Sequence, residues 1–323
     1  MKVSVLMLAY NHERHIAQAL DSAVGQQAPF DFEIVVGEDA STDATPRIVA
    51  DYQRRFPALV RPLFHHANLG MHDNFLHAFS ACRGEYVALL EGDDYWTEPS
   101  KLRRQVELMD RQPLVAVCGH RVRVLDESEP ERIELFPADN GRRTFSLEDI
   151  LVANFLPTCS TMFRRAQFTG FPPWVRGLRA LDWPLHVLNA RFGSIALMPE
   201  VMGVYRRHAG GAWTGLPASR RCRYLLDMYE AFDTFFAGKY EKRLRPPIAH
   251  ARFEHAWALA QEGRRREALC EWARLAASPR AWPYLSRLKS AALLLCVLSP
   301  ESFAAAHRLY RSWRQGRLPG GTI

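Results

Sequence analysis

The sequence predicts an α/β fold: a doubly wound, mostly parallel sheet with helices on both faces, followed by an all-helical C-terminal appendage. Three observations carry this. Short apolar runs alternate with helical periodicity through the first 120 residues. Polar residues fall just past the C-terminal ends of several of those runs, where open α/β sheets bind ligands. From about Ser219 the alternation stops and only helical patterns remain.

Val3–Leu8 is the first strand. His12–Gln26 then sets Ile16, Ala19, Leu20, Ala23 and Val24 on one helical face. Phe32–Val36 is a strand, and Thr45–Phe56 a helix with Pro46 in its first turn, where a missing N–H is harmless. Val60–Phe64 is a weaker strand and Asn74–Ala81 a helix. Tyr86–Leu90, bounded by Gly84 and Gly92, is a buried strand. Pro99–Met109 is a helix and Val115–Gly119 a strand. Residues 121–145 are charged and irregular and read as a loop. Ser146 with Asp149 resembles a capping box opening a helix to about Asn154. Thr158–Phe163 and Ile195–Met198 are strands around a helix at Leu181–Arg191, and Arg206–Leu216 reads as a flexible loop. The helices beyond are Ser219–Phe236, Ile248–Glu262, Arg264–Ala277, Tyr284–Val297 and Glu301–Arg314, with Leu318–Ile323 frayed. Ala256, Leu259, Ala260, Gly263, Ala268 and Leu269 resemble one helix-turn-helix repeat unit. Two regions are expected, 1–217 and 218–323, the first dividing near residue 120.

With 323 residues and 48% hydrophobic content, the chain can bury a sizeable core. Its net charge of +7 is uneven. Residues 1–202 hold 21 Lys and Arg against 26 Asp and Glu, net −5; residues 203–323 hold 21 against 9, net +12. Such a tail suits an anionic membrane surface, a phosphorylated substrate or nucleic acid, and charge alone does not choose. The six cysteines (Cys82, Cys118, Cys159, Cys222, Cys270, Cys296) lack zinc-type spacing and suit reduced core thiols in a cytosolic protein. No basic-then-apolar leader precedes the first strand, so no secretory signal is expected.

The densest chemistry is Glu91-Gly92-Asp93-Asp94-Tyr95-Trp96, directly after a buried strand. Three carboxylates within four residues repel one another, and burial sharpens the repulsion. A divalent cation relieves it, and hard oxygen ligands suit Mg²⁺ or Mn²⁺ gripping a phosphate. A solvated acidic turn is the bland alternative.

Read together, several segments resemble bacterial family 2 glycosyltransferases of the GT-A fold. The opening strand Val3-Ser4-Val5-Leu6-Met7-Leu8-Ala9-Tyr10-Asn11 comes first. Glu38-Asp39-Ala40-Ser41-Thr42-Asp43 is similar to the family's Asp-Asp-Gly-Ser-Thr-Asp. Asn68-Leu69-Gly70, Gly84-Glu85-Tyr86, Glu91 to Trp96, Pro99 and Lys101-Leu102 follow in the family's order. The match covers roughly residues 1–215, and implies a nucleotide-sugar half at 1–120 and an acceptor half at 121–217.

The resemblance implies a donor site at Ala9, Tyr10, Asn11, Glu38, Asp39, Asn68, Gly70, Asp93, Arg206 and Arg207. Tyr10 offers a stacking face to the base. Asp39 would accept from a pyrimidine N3–H, and its bland role is a helix cap. Glu38 replaces the commoner Asp, one methylene longer. Asp93 and Asp94 match the metal-binding pair, with His208 as a further ligand, Glu91 outermost, and His12 near phosphate. Arg206 or Arg207 would grip the diphosphate. Asp182 stands where the family carries its catalytic base, although Asp before Trp183-Pro184 is also a good helix N-cap. Trp174, Trp183 and Trp213 lie in the acceptor half, as core or as sugar platforms.

The expected activity is inverting transfer from a nucleoside-diphosphate sugar, foremost a UDP-sugar, with Mn²⁺ or Mg²⁺ as cofactor. The acceptor would be a glycan or lipid-linked hydroxyl in surface polysaccharide assembly. The protein would be cytoplasmic, with peripheral contact at the inner membrane face and no nucleic-acid partner. Two alternatives stand beside it. A sugar-nucleotide nucleotidyltransferase would need a Gly-rich first loop, and Ala9 to Glu13 contains no glycine. A non-catalytic interaction protein would use the helical tail.

Overall fold

A computed structural model describes residues 1–211, 213 and 215–277. The expected helices Tyr284–Val297 and Glu301–Arg314 and the end at Leu318–Ile323 lie outside the described residues.

The first 111 residues alternate as expected: β1 (Val3–Ala9), α1 (Ile16–Val24), β2 (Phe32–Glu38), α2 (Thr45–Arg55), β3 (Val60–Phe64), α3 (Gly70–Ala81), β4 (Tyr86–Glu91), β5 (Tyr95–Trp96) and α4 (Lys101–Arg111). Then follow β6 (Val115–Asp126), β7 (Glu134–Phe136), β8 (Thr144–Phe145), α5 (Leu147–Val152), β9 (Met162–Arg164), α6 (Asp182–Ala190) and β10 (Ser194–Arg207). The last described elements are α7 (Ala218–Phe235), α8 (Glu241–Gln261) and α9 (Arg265–Ala276).

The ten strands among the described residues form one sheet, ordered β3-β2-β1-β4-β9-β6-β10-β5, with β7 on β6 and β8 on β10. The run β3-β2-β1-β4 is parallel, as is β6 with β10. β9 enters between β4 and β6 antiparallel to both, and β5, β7 and β8 also pair antiparallel, so the sheet is mixed. Val5, Met7, Ile34, Val36, Ala88 and Leu90 share one core with Ile16, Ala19 and Leu20 of α1. The register pairs Ala9 with Glu38 and Leu8 with Glu91, bringing three strand ends level.

Three differences from the expected elements have physical causes. α3 begins at Gly70 rather than Asn74, because Asp39 accepts from the Leu69 and Gly70 backbone amides at 2.7 and 3.0 Å and so caps the first turn. Residues 121–126 continue β6 instead of starting a loop: buried Val122 and Val124 alternate with more exposed Arg121 and Arg123, a period-2 signal hidden by its charges. α8 starts before Pro246 and Pro247, supported by buried Leu244 and an Arg245–Glu241 pair at 2.6 Å. Of the expected capping box one half forms: Ser146 N donates to Asp149 Oδ2 at 2.7 Å, while Ser146 Oγ donates to the same oxygen at 2.9 Å and Asp149 N donates to the Ser146 carbonyl instead.

The chain divides into two compact units. One comprises residues 1–150, 154–176 and 180–208; the other comprises 151–153, 177–179 and the described residues from Ala209 to Ala277. Within the second unit, Ala256 and Leu259 of α8 pack on Ala268 and Leu275 of α9, and the turn between them uses Gly263 at φ 76°. Among the described residues no helix is long and apolar enough to cross a membrane.

Candidate active site

The ends of β1, β2 and β4 build the site. Gly92 N donates to Leu8 O at 2.9 Å and Asp39 N to Ala9 O at 3.0 Å, tying the turns after β4 and β2 to β1. The β1 and β2 loops are also laced by side chains. Asn11 Oδ1 accepts from Thr42 N at 2.8 Å, Ser41 Oγ accepts from Asn11 N at 2.9 Å, and Thr45 Oγ1 accepts from His12 N at 2.8 Å. Asn11 holds φ 56° and Ala40 φ 54°, left-handed conformations that cost a non-glycine residue energy and that this lacing sustains. Gly92 has no room for a side chain: a Cβ would lie 2.6 Å from His12 Nδ1.

The acidic turn converges with two distant segments. Arg206 N donates to Asp94 Oδ1 at 2.8 Å, and the Arg206 guanidinium donates to Asp93 O at 2.6 Å and to Gln18 Oε1 while covering the Tyr95 ring. His208 Nε2 meets Asp93 Oδ2 at 3.1 Å, His12 Nε2 lies 3.9 Å from the same oxygen, and the His15 ring packs on His208. Glu91 Oε2 is shielded from solvent with no hydrogen-bond partner. Asp182 opens α6, and its Oδ2 accepts from Asn154 Nδ2 at 2.8 Å.

The electrostatics follow from burial and crowding. Burial, then the charges of Asp94, Asp93 and Asp182, pushes Glu91 well above the usual carboxylate range. Burial and Asp93 do the same to Asp94. Burial also acts on Asp93, but the His208 hydrogen bond and the neighbouring imidazoles outweigh it and hold that carboxyl low. The bond to Asp93 raises His208, whereas burial lowers His12. Asp182 is raised by burial against hydrogen bonds from Trp183 N, Asn154 and Thr158. Two carboxylates held above their normal range beside an ionised third make a site short of positive charge.

That shortage bears on a metal. Among the described residues no group of three or more His, Cys, Asp and Glu side chains stands ready as a ligand set. The donor chemistry nevertheless fits a hard divalent cation: clustered carboxylates, one with a buried unpartnered oxygen. His208 touches Asp93 directly here.

Other sequence-picked residues distribute as follows. Tyr10 is 44% exposed, available as a platform. Glu38 is buried and accepts from Ser41 N at 3.0 Å, so it shapes the loop. Both Asp39 oxygens cap α3, Asn68 Nδ2 donates to Asp39 O, and Gly70 supplies φ 80° at that start. Ala9 is buried backbone at the β1 terminus. Arg206 and Arg207, expected at the diphosphate, both bond protein groups. Arg206 is buried under the acidic turn, and Arg207 pairs with Glu134 at 3.1 Å because alternation along β10 sends it elsewhere. Trp183 is core: its Nε1 donates to Ile150 O. Sequence reasoning passed over Gln18, His15 and Asn154, none of which stands in a motif.

A mixed α/β sheet with laced loops and an acidic turn at its C-terminal edge defines a GT-A type protein. The family model for Glycosyl transferase family 2 matches residues 4–168, and the chain belongs to that family. It is 44% identical over 220 residues to an uncharacterized Mycobacterium tuberculosis protein, Rv1520, covering 68% of this chain and 62% of that relative; the chain thus spans less than two thirds of its relative's length. Two solved structures share the fold. S. aureus TarS 1–349 in complex with UDP-GlcNAc superposes with TM-score 0.63 at 18% identity, over 100% of this chain and 94% of that one. The mannosyltransferase PcManGT from Pyrobaculum calidifontis, in complex with GDP-Man and Mn2+, gives 0.62 at 21% identity, over 97% and 82%.

Proposed function

We propose that the chain is an inverting glycosyltransferase that moves a sugar from a nucleoside-diphosphate sugar, foremost a UDP-sugar, to a hydroxyl of a glycan or lipid-linked acceptor in surface polysaccharide assembly. The observation that carries this is the buried acidic turn Glu91 to Asp94 at the end of β4, with the Asp182 carboxylate at the start of α6 near enough for its charge to raise Glu91. Tyr10 presents an exposed ring for the base. Asp182, with its carboxyl raised above the ordinary carboxylate value by burial, accepts the proton of the acceptor hydroxyl. The freed oxygen pair forms the bond to the anomeric carbon as the carbon–phosphate-oxygen bond breaks. That electron pair leaves with the nucleoside diphosphate, and the single displacement inverts the centre. Asp93 and Asp94 would hold a divalent cation, as the bound Mn2+ of PcManGT supports. Bound there, the ion would offset negative charge on the departing diphosphate. The +12 charge of residues 203–323 supports contact with an anionic inner membrane face.

The deciding experiment is a panel of nucleotide sugars scored by thermal shift with and without Mn²⁺ or Mg²⁺. One donor class should raise the melting temperature only with the ion. No shift from any activated sugar, with either ion, overturns the proposal.

A further inference from the structure

Asn154 lies just past α5, outside every motif, yet its side chain is fixed at both ends. Its Oδ1 accepts from the Leu156 backbone N–H at 3.3 Å, and its Nδ2 donates to Asp182 Oδ2 at 2.8 Å. A backbone N–H only donates, so the Leu156 contact decides which way the amide is turned. The NH₂ end therefore faces the carboxylate. Both segments are anchored independently of this bond. Leu156 is buried, and Trp183, next to Asp182, is pinned by its indole N–H to Ile150 O. Asp182 sits in the first turn of α6, where its backbone is set, so the Asn154 bond, together with those from Trp183 N and Thr158, restrains the remaining freedom, the rotation of the carboxyl group.

We propose that Asn154 is the positioning residue of the general base: its amide fixes the Asp182 carboxylate so that one oxygen is held and the group faces the acceptor hydroxyl. This rests on the reading of Asp182 as the base. The carboxylate also accepts from Trp183 N and the Thr158 side chain, and within that set of donors Asn154 holds Oδ2. Asn154 touches no reacting atom. It acts through Asp182 on the geometry of the proton transfer, to which rates are steeply sensitive.

The test compares Asn154→Ala, Asn154→Asp and Asp182→Asn by steady-state kinetics. Asn154→Ala should lower kcat about 10- to 100-fold, with donor KM and nucleoside-diphosphate affinity within about twofold of the parent. Asn154→Asp keeps the shape but turns a carboxylate on a carboxylate, so it should lower kcat further while leaving donor KM alone; being isosteric, it serves if the alanine variant does not fold. In the Asp182→Asn background, Asn154→Ala should add no further loss. If Asp182→Asn is inactive while both Asn154 variants keep parental kcat, the Asn154 inference fails alone. A loss confined to KM also overturns it, by making Asn154 a binding or purely structural residue. If Asp182→Asn itself retains transfer, it is the base reading that falls.

Discussion

Glu33 and Glu91 sit at opposite ends of the parallel run β3-β2-β1-β4, and their surroundings differ in kind. Glu33, near the start of β2, is fully buried and fully partnered. It accepts from Ser4 Oγ at 2.7 Å, Arg83 N at 2.8 Å, the Arg83 guanidinium at 2.6 and 3.0 Å, and Arg61. Burial alone would raise its carboxyl, but these bonds, led by Arg83, hold it down to about 2. Glu91, at the end of β4, has a buried oxygen with no partner and three acidic neighbours, and is pushed up. The N-terminal edge uses charge to close the fold. The C-terminal edge instead crowds carboxylates that burial and like charge push above their ordinary range.

The largest expected effect is on activity at the unbalanced end. Asp182→Asn should lower transfer about 1,000-fold while a donor-induced thermal shift persists; comparable turnover in the variant would dissolve the functional half of the contrast. Next comes stability at the balanced end. Glu33→Gln should destabilise by about 2–3 kcal/mol, read by denaturant melts, because Arg61 and Arg83 lose their anionic partner. The third effect has the opposite sign. Glu91→Gln should raise the melting temperature of metal-free protein by about 2 °C, since it removes a like charge; a lower melting temperature would show that the turn is balanced after all.

The smallest effect is in pH. Glu33 has a folded pKa of about 2 against an ordinary 4.5. Its contribution is therefore complete above the ordinary value and lost as pH falls from 4.5 toward 2. Parental protein should lose stability through that window more steeply than Glu33→Gln, as followed by acid melts. Parallel curves for the two would remove Glu33 as a source of acid lability.

Local signals made the strand–helix alternation and the acidic turn legible, because each is written in consecutive residues. Tyr86–Leu90 is continuous apolar sequence, and Glu91, Asp93 and Asp94 follow at once. Contacts between distant segments were not legible. The sequence offers Arg206 and Arg207 equally to a phosphate; only the β10 register puts one under the acidic turn and the other against Glu134. Asp39 reads equally well as a base contact or a cap, and the approach of Leu69 and Gly70 shows that it caps α3. β9 shares only Met162 and Phe163 with the strand that the sequence predicts at Thr158–Phe163, and its antiparallel insertion between β4 and β6 depends on both neighbours being in place.

By itself the sequence determined the periodicities, the strand ends and the carboxylates standing after them, since hydrophobic pattern and turn chemistry are properties of neighbouring residues. Tertiary structure alone decided which charges are cancelled. Whether a carboxylate is ionised, capped or left wanting depends on groups that folding delivers from far along the chain: Arg83 to Glu33, Arg206 to Asp94, Asn154 to Asp182.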